Sequence, residues 1–349
     1  MNRTGYIVFG YSTAFTHVLR NLLPYEPDSV CFLSTDAPNF LLPPGPVFYV
    51  NSKNLRDAAL IIADELCRRN LTNIIPCENT PATFRADVVR AWSVKQSNAR
   101  YQVPQQLANI AKNIPFIQTA SPVKNLLRIR GKSVVLCGSG PSLPRSAAYL
   151  KTTAAPIMAC GSAMAALAYS GITPDYVVIA DAGNETVGAD YVRMNCPLLA
   201  PVQASHDAVK NWSYGPRGFY IDQAALVTPD DLIRFGHELP LIGSNISVTT
   251  AAVNLAIYGG ASEIILVGQD LSYPAAGHHA PGVQPCDYTR ETVDVPALDG
   301  SMVVTNYALK DVIDYLTTFP ARYPHIRFVN STAAGALVPG WRRAENLFH

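Results

Sequence analysis

The stretch Ser133–Leu143 constrains the fold of this chain more than any other part of the sequence. It reads SVVLCGSGPSL: an apolar run typical of a buried strand, a turn of glycine, serine and proline, and the start of a predicted helix. A strand that ends in glycines before a helix is a common anion site, because glycines let the backbone approach a phosphate and free N–H groups stabilise its charge. Pro141 suits the first helical turn, where its missing N–H has no partner to lose. An ordinary strand-to-helix connection would read the same way, so the surrounding sequence must decide between the two interpretations.

Composition indicates a globular protein with two domains. The chain has 349 residues, which is long for one hydrophobic core. Its formal net charge of +1 gives no general attraction for nucleic acid, so a nucleic acid polymer is not an expected partner. No apolar run reaches the ~18 residues of a membrane span, and no signal-peptide pattern is found, so we expect no membrane span. The seven cysteines form no Cys-x-x-Cys pair, which predicts neither a zinc site nor a disulfide framework and favours a cytoplasmic location.

The first third of the chain alternates strand-like and helix-like patterns. Four short apolar runs predict strands: residues 6–9, 30–33, 47–50 and 71–76. This alternation predicts a parallel α/β domain. A helical pattern at 105–112 leads out of it, and we place the boundary so that a smaller α/β domain covers 1–120 and a second domain covers 121–349.

Residues 121–349 repeat the alternation with clearer strands, which predicts a Rossmann-like, doubly wound and mostly parallel sheet. Such sheets bind ligands beyond the carboxyl ends of their strands. Polar residues and glycines collect at those ends or open a following helix: Gly138, Ser139, Gly140, Pro141, Ser142, Gly161, Ser162, Asp181, Gly243, Ser244, Gln269, Asp270 and Asn330. A solvated loop would explain any one of them, whereas their number in one segment predicts a shared nucleotide or substrate site.

The glycine loop lacks two standard nucleotide fingerprints. A dinucleotide fingerprint would place a third glycine where Leu143 stands, and an acidic residue after the next strand, where Gly161 and Ser162 follow. A Walker A loop would need Gly-Lys-Ser/Thr where Pro141-Ser142-Leu143 stands. These departures disfavour a nicotinamide dehydrogenase and a P-loop enzyme. They leave open a nucleotide or diphosphate held by backbone amides.

Four motifs, in this order, are similar to those of a known family: Gly138 to Leu143; Pro174-Asp175-Tyr176 with Asp181; Gly243-Ser244 with Thr249-Thr250; and Val267-Gly268-Gln269-Asp270-Leu271. The chain resembles, over roughly residues 124–347, the DUF115 family. That family includes the motility accessory factor (Maf) flagellin glycosyltransferases and the MptE-type 6-hydroxymethylpterin diphosphokinases. The resemblance implies a Rossmann-like transferase that acts on a nucleotide-bearing donor.

Four side chains that follow predicted strands are candidates for chemistry. Asp181 and Asp270 each end an apolar run, and we expect them to bind donor hydroxyls or Mg²⁺, which prefers one or two carboxylates plus phosphate oxygens. Asp270 is also a candidate catalytic residue. His278 or His279, in the loop after Asp270, is expected to act as a base or to stabilise the leaving group, and the resemblance supports this position. The turn-rich stretch 274–300 suggests a lid or specificity element.

Three functions remain open at this point. The first is a glycosyltransferase that uses a nucleotide-activated sugar, such as a CMP-nonulosonate, and an acceptor protein or glycan. The second is an MptE-like diphosphokinase that uses ATP, Mg²⁺ and a pterin. The third is a non-catalytic nucleotide- or sugar-binding module of surface-glycan machinery. Metal dependence separates the first two, since diphosphate transfer from ATP uses Mg²⁺.

Overall fold

The structure is a computed structural model of the chain. It describes residues 4–9, 29–34, 47–51, 62–63, 73–76 and 88, and residues 102–344 apart from 184–194, 214, 223–224, 226, 244–246, 274–278, 282 and 284–291. The chain divides into two compact units, Met1–Pro104 and Gln105–His349. None of the helices in these described ranges is both long and apolar enough to cross a bilayer.

The first unit contains a parallel sheet of four strands. In chain order they are β1 (Thr4–Phe9), β2 (Ser29–Ser34), β3 (Val47–Asn51) and β4 (Asn73–Pro76). The order across the sheet is β3-β2-β1-β4, and every neighbouring pair is parallel. All four strands lie where the apolar runs predict them. The segments that connect them fall largely outside the described residues.

The second unit is built on a nine-stranded sheet whose neighbouring strands are all parallel, in the order β10-β9-β8-β7-β6-β5-β11-β14-β15. The strands are β5 (Ser133–Cys137), β6 (Ile157–Cys160), β7 (Tyr176–Val178), β8 (Leu198–Pro201), β9 (Arg217–Asp222), β10 (Leu241–Ile242), β11 (Glu263–Val267), β14 (Arg327–Asn330) and β15 (Arg342–Arg343). A separate antiparallel hairpin pairs β12 (Thr292–Pro296) with β13 (Met302–Asn306).

Helices connect these strands. They are α1 (Val103–Gln118), α2 (Val123–Leu126), α3 (Ala147–Thr152), α4 (Ala163–Tyr169), α5 (His206–Asn211), α6 (Pro229–Phe235), α7 (Val248–Tyr258), α8 (Tyr307–Thr317) and α9 (Phe319–Arg322), and a 3₁₀ turn (Leu143–Ser146) precedes α3. Helix α7 begins with a capping box, in which the side chains of Ser247 and Thr250 each accept from the backbone N–H of the other. The predicted α/β fold, a doubly wound parallel sheet, is confirmed.

The hydrophobic core lies on both faces of the nine-stranded sheet. Along β5 and β11 the side chains alternate between two clusters. One cluster contains Val134, Leu136, Ile264 and Leu266. The other contains Val135, Cys137, Ile265 and Val267. Burial on both faces explains why these strands read as continuous apolar runs, as central parallel strands do.

The stretch 274–300 differs from its prediction as an irregular loop. Its last part forms strand β12, because Val293 and Val295 alternate with polar residues and pair with β13. Most of the remainder, from residue 274 to 291, lies outside the described residues. The predicted lid or specificity role of this stretch therefore stays a prediction.

Candidate functional site

The loops that follow β5 and β11 meet at the point where the direction of winding reverses. From β5 the chain adds strands β6 to β10 on one side, and then returns to add β11 and β14 on the other side. In doubly wound sheets, ligands bind in the crevice at this switch point, beyond the carboxyl ends of the strands. The glycine loop, residues 138–142, follows β5, and the segment Gly268-Gln269-Asp270 follows β11.

These two loops are packed against each other. The N–H of Gly138 donates to the carbonyl of Val267 and that of Gly140 donates to the carbonyl of Gly268, both at 2.8 Å. A Cβ atom on Gly140 would lie 2.5 Å from Oδ1 of Asp270, and one on Gly138 would lie 2.6 Å from the Gly268 carbonyl oxygen. The two glycines are therefore required for contact between the loops. A larger residue at Gly140 would displace Asp270.

Asp270 fastens the glycine loop to β11. The N–H of Ser142 donates to its Oδ2 at 2.9 Å, and the Ser142 hydroxyl donates to its Oδ1. Both residues are 3% exposed. Burial raises the pKa of Asp270 to about 6, although the hydrogen bonds from Ser142 and the charge of Arg145 act in the opposite direction.

Asp270 does not fit the role of a Mg²⁺ ligand in this arrangement. Its two oxygens already accept hydrogen bonds from Ser142, and the side chain is buried, whereas a metal-binding carboxylate directs an oxygen at the ion. Within the described part of the chain, no three His, Cys, Asp or Glu side chains lie close enough together to hold a metal. The expected pairing of Asp181 and Asp270 around a Mg²⁺ ion stays a prediction, and it would require Asp270 to give up a hydrogen bond from Ser142 or to share an oxygen.

The backbone of the glycine loop is not the open phosphate cradle that the sequence suggested. The N–H groups of Gly138 and Gly140 are bonded to β11 and its loop, and that of Ser142 is bonded to Asp270. Pro141 has no N–H. Since three of the loop's four amides already donate to protein acceptors, an anion here would depend chiefly on side chains.

Three side chains with exchangeable protons meet above this loop, and we call them the Ser139 cluster: Ser139, Ser162 and His279. The Ser162 hydroxyl donates to Ser139 Oγ at 2.8 Å, and Ser139 Oγ lies 3.3 Å from His279 Nδ1. The N–H of Ala280 donates to the Ser139 carbonyl at 2.8 Å, which fixes the neighbouring histidine beside the loop. All three members of the cluster are half-buried, so they are candidate residues that a ligand can reach.

Gln269 and Asn330 are buried and bind protein groups. The Thr249 hydroxyl donates to Gln269 Oε1 at 2.9 Å, which joins the loop after β11 to the first turn of α7. Gln269 and Thr249 also lie beside Cys160, whose pKa burial raises to about 12. Asn330 Oδ1 accepts from the N–H of Thr332 at 3.0 Å. Gln269 and Asn330 therefore each stabilise the carboxyl edge of the sheet from within.

The remaining candidates adjoin the Ser139 cluster, follow other strands or lie outside the described residues. Gly161, at φ +48°, makes the turn that leads to Ser162. Asp181 is exposed and follows β7, which β6 separates from β5. Gly243 follows the edge strand β10, and its carbonyl accepts from the Asn254 side chain. Ser244 and His278 fall outside the described residues.

No local pattern in the sequence indicates the residues that hold Asp270 in place. Leu271 has φ 49°, in the left-handed region that bulky residues rarely adopt. Its carbonyl accepts from the Thr305 hydroxyl at 2.8 Å, and the Asp270 carbonyl accepts from the N–H of Ala336 at 2.8 Å. A Cβ on Gly335 (φ +111°) would clash with the Asp270 carbonyl oxygen. This tight packing holds the segment after β11 from several sides.

The fold and this edge define a Rossmann-like α/β protein with a candidate ligand site at its switch point. Residues 108–276 match the family described as MptE-like, 6-hydroxymethylpterin diphosphokinase. This match spans β5 to β11 and both loops, which is just under half of the chain, and it supports the family that the motifs predicted.

Several chains in solved structures match this chain, whereas a search of curated protein sequences finds no match. One of these structures is described as the MAf glycosyltransferase from Magnetospirillum magneticum AMB-1, and it aligns with a TM-score of 0.64 at 17% identity. The alignment covers 99% of this chain and 58% of that chain, so this chain spans little more than half of its length. The family match points to a transferase-type enzyme, and the structural neighbour shows the shared fold.

Proposed function

We propose that this protein is a glycosyltransferase that binds the phosphate of a nucleotide-activated sugar at the Ser139 cluster. One observation carries the proposal: two hydroxyls and an imidazole ring, hydrogen-bonded in a chain, stand half-exposed at the switch point of a doubly wound sheet. Hydroxyl groups donate to phosphate oxygens, and a protonated imidazole adds a charge-assisted hydrogen bond. A CMP-nonulosonate is the donor we would test first, with a protein or glycan acceptor.

His279 is the member of the cluster that can move a proton. In its neutral form the ring can accept the proton of an acceptor hydroxyl, and in its charged form it can stabilise the departing nucleotide phosphate. Its Nδ1 faces Ser139 Oγ at 3.3 Å, so the ring is oriented by the glycine loop. His278 stays a second candidate. Asp181, exposed at the end of β7, would bind a donor hydroxyl or a Mg²⁺ ion that accompanies the phosphates.

A second candidate function is an MptE-like diphosphokinase that uses ATP, Mg²⁺ and a pterin. The family match over 108–276 favours it, because that range contains β5 to β11 and the glycine loop. The structural likeness over 99% of the chain favours the glycosyltransferase, because it includes the first unit as well. A non-catalytic nucleotide- or sugar-binding module of surface-glycan machinery is the third candidate, and it predicts binding without turnover.

Calorimetric titration with CMP, UDP, GDP and ATP, each with and without Mg²⁺, tests these candidates. We expect one pyrimidine or guanine nucleotide to bind with little dependence on Mg²⁺, and its sugar conjugate to release free nucleotide in the presence of an acceptor. Selective binding of ATP, abolished by a chelator, would favour the diphosphokinase. Binding without release of product from any conjugate or from ATP would favour the module.

A further inference from the structure

We propose that Asp270 is a positioning residue that latches the glycine loop through Ser142 and so fixes the Ser139 cluster. In this role its carboxylate does not touch the ligand. The proposal deepens the proposed function and rests on it only where turnover is measured. It also replaces the expectation that Asp270 is a catalytic or metal-binding residue.

The contacts of Asp270 account for both of its oxygens. Oδ2 accepts from the Ser142 N–H at 2.9 Å and Oδ1 accepts from the Ser142 hydroxyl. Donor and acceptor are each 3% exposed, so the pair is shielded from solvent and from a ligand in the crevice. Hydrogen bonds to a buried carboxylate are among the stronger ones in proteins, because the acceptor is charged.

Fixing Ser142 also fixes the part of the loop that carries the cluster. The N–H of Leu143 donates to the Gly140 carbonyl at 3.0 Å, which closes a turn around Pro141 and Ser142. Pro141 restricts its own backbone, and Gly140 is held against Gly268 by its N–H. Ser139 directly precedes this closed turn. Its hydroxyl can therefore keep its position against Ser162 and His279 only while the turn stays in place.

The segment after β11, which carries Asp270, is also held rigidly. Leu271 keeps a left-handed backbone, and its carbonyl is bound by Thr305. The carbonyl of Asp270 is bound by Ala336. A non-glycine residue stays in a disfavoured backbone region only where surrounding contacts determine it, and such positions cluster at functional sites. Here the disfavoured residue directly follows the carboxylate that holds the loop.

Two substitutions separate a latch from a group that acts on the ligand. In Asp270→Asn the amide can accept from the Ser142 N–H through its oxygen and donate to the Ser142 hydroxyl through its nitrogen, so the latch survives while the charge is lost. Asp270→Ala removes both acceptors. A matched control is Asp175→Ala, because Asp175 Oδ2 accepts from the Ile157 N–H at 2.8 Å at the opposite, amino end of the sheet.

The experiment compares these three variants with the wild type in hydrogen exchange of residues 133–146, melting temperature, and kcat and KM for the donor. We expect Asp270→Asn to keep exchange and kcat within about threefold of wild type. We expect Asp270→Ala to speed exchange of the loop by ~10-fold and to lower kcat/KM by ~10²-fold, since a displaced loop loses orientation. The control Asp175→Ala should leave both the exchange of residues 133–146 and kcat/KM unchanged.

Two outcomes would overturn the latch. A loss of ~10²-fold in kcat for Asp270→Asn with unchanged loop exchange would place the carboxylate on the ligand or on a metal. Unchanged hydrogen exchange of residues 133–146 in Asp270→Ala would show that the glycine loop keeps its position without the Asp270 carboxylate. If Asp270→Ala does not fold, Ser142→Ala replaces it, and Ser142→Thr, which keeps the hydroxyl, is the expected rescue. Exchange is measured without ligand, so failure to find any donor would count against the proposed function alone.

Discussion

The carboxyl group of Asp270 links the stability of the protein to pH. Burial raises the pKa of Asp270 from 3.8 to about 6, against the opposing charge of Arg145. Between these two values the folded protein holds a proton that the unfolded chain has lost, so the free energy of unfolding falls as pH rises through this window. Such coupling is expected wherever a buried carboxylate is only partly compensated by hydrogen bonds.

We predict that Asp270→Asn removes this contribution. Asparagine does not titrate, so the difference in unfolding free energy between wild type and variant should shift in favour of the variant as pH rises from about 4 to about 6. Urea unfolding at several pH values measures this difference in unfolding free energy, with Asp175→Asn as a control from the amino end of the sheet. A difference that stays constant across this window would show that the carboxyl is not desolvated in the folded protein.

The hydroxyls of the Ser139 cluster give a second prediction. Ser139 and Ser162 are half-buried, so we expect Ser139→Ala and Ser162→Ala each to cost only ~1 kcal/mol of stability. Each should weaken nucleotide binding by about 5- to 10-fold, because one hydrogen bond to a phosphate oxygen is lost. Ser301→Ala is the control, since its hydroxyl bonds Asp299 in an exposed turn. Unchanged nucleotide affinity in both cluster variants would move the phosphate site elsewhere.

At the scale of secondary structure, the strands of the sheet were predictable and several connecting elements were not. The apolar run that precedes the glycine loop forms β5 as predicted, because a central parallel strand is buried on both faces and reads as a continuous apolar run. The short helices α5 and α6 were missed, since each buries only one or two side chains and therefore shows little apolar periodicity. Helix α1 continues past Pro115 because Ile114 and Ile117 are buried.

The position of the candidate site could be predicted from the sequence, but the role of each residue in it could not. The carboxyl ends of parallel strands had to meet at one edge, so the polar residues after β5 and β11 were expected together. Asp270 and Ser142, however, are 128 residues apart in sequence, and no local pattern indicates that one binds the other. The left-handed Leu271 carries no signal either, because glycine or asparagine would be expected at such a backbone angle.

The loop after β11 supplies a prediction about glycine. Gly335 and Gly300 both have positive φ, +111° and +87°, but a Cβ would clash with the Asp270 carbonyl in the first and meet open space in the second. We expect Gly300→Ala to cost about 1–2 kcal/mol from the backbone angle alone. Gly335→Ala should cost at least ~3 kcal/mol and speed exchange at the glycine loop, because it displaces Asp270. If urea unfolding shows the same loss of unfolding free energy in Gly335→Ala and Gly300→Ala, the segment after β11 adjusts to the added side chain.

At the scale of the whole molecule, helix α1 belongs to the second unit from Gln105 onward. Asn113 Nδ2 donates to the carbonyls of Val202 and Ala204 at 3.1 and 3.0 Å. Asn109 Nδ2 donates to those of Ala182 and Gln203 at 2.9 and 3.2 Å. The helix also buries Ile110, Ile114 and Ile117 in the core. The second compact unit begins at Gln105, before this packing starts, whereas residue 120, our predicted boundary, lies after the helix.

This packing predicts where the chain can be divided. A fragment of residues 101–349 should fold and bind the same nucleotide as the full chain, because it keeps α1 and its contacts. A fragment of residues 121–349 should be insoluble or unfolded. It loses three buried isoleucines, each worth about 1.5–3 kcal/mol, and leaves four carbonyls without their donors. That loss is comparable to the ~5–15 kcal/mol by which a domain of this kind is stable.

Circular dichroism melting and nucleotide titration of both fragments measure the difference in stability and in binding. Asn113→Ala in the full chain shows the contribution of one side chain. Equal melting temperatures for the two fragments would show that α1 is dispensable and that the domain begins near residue 121.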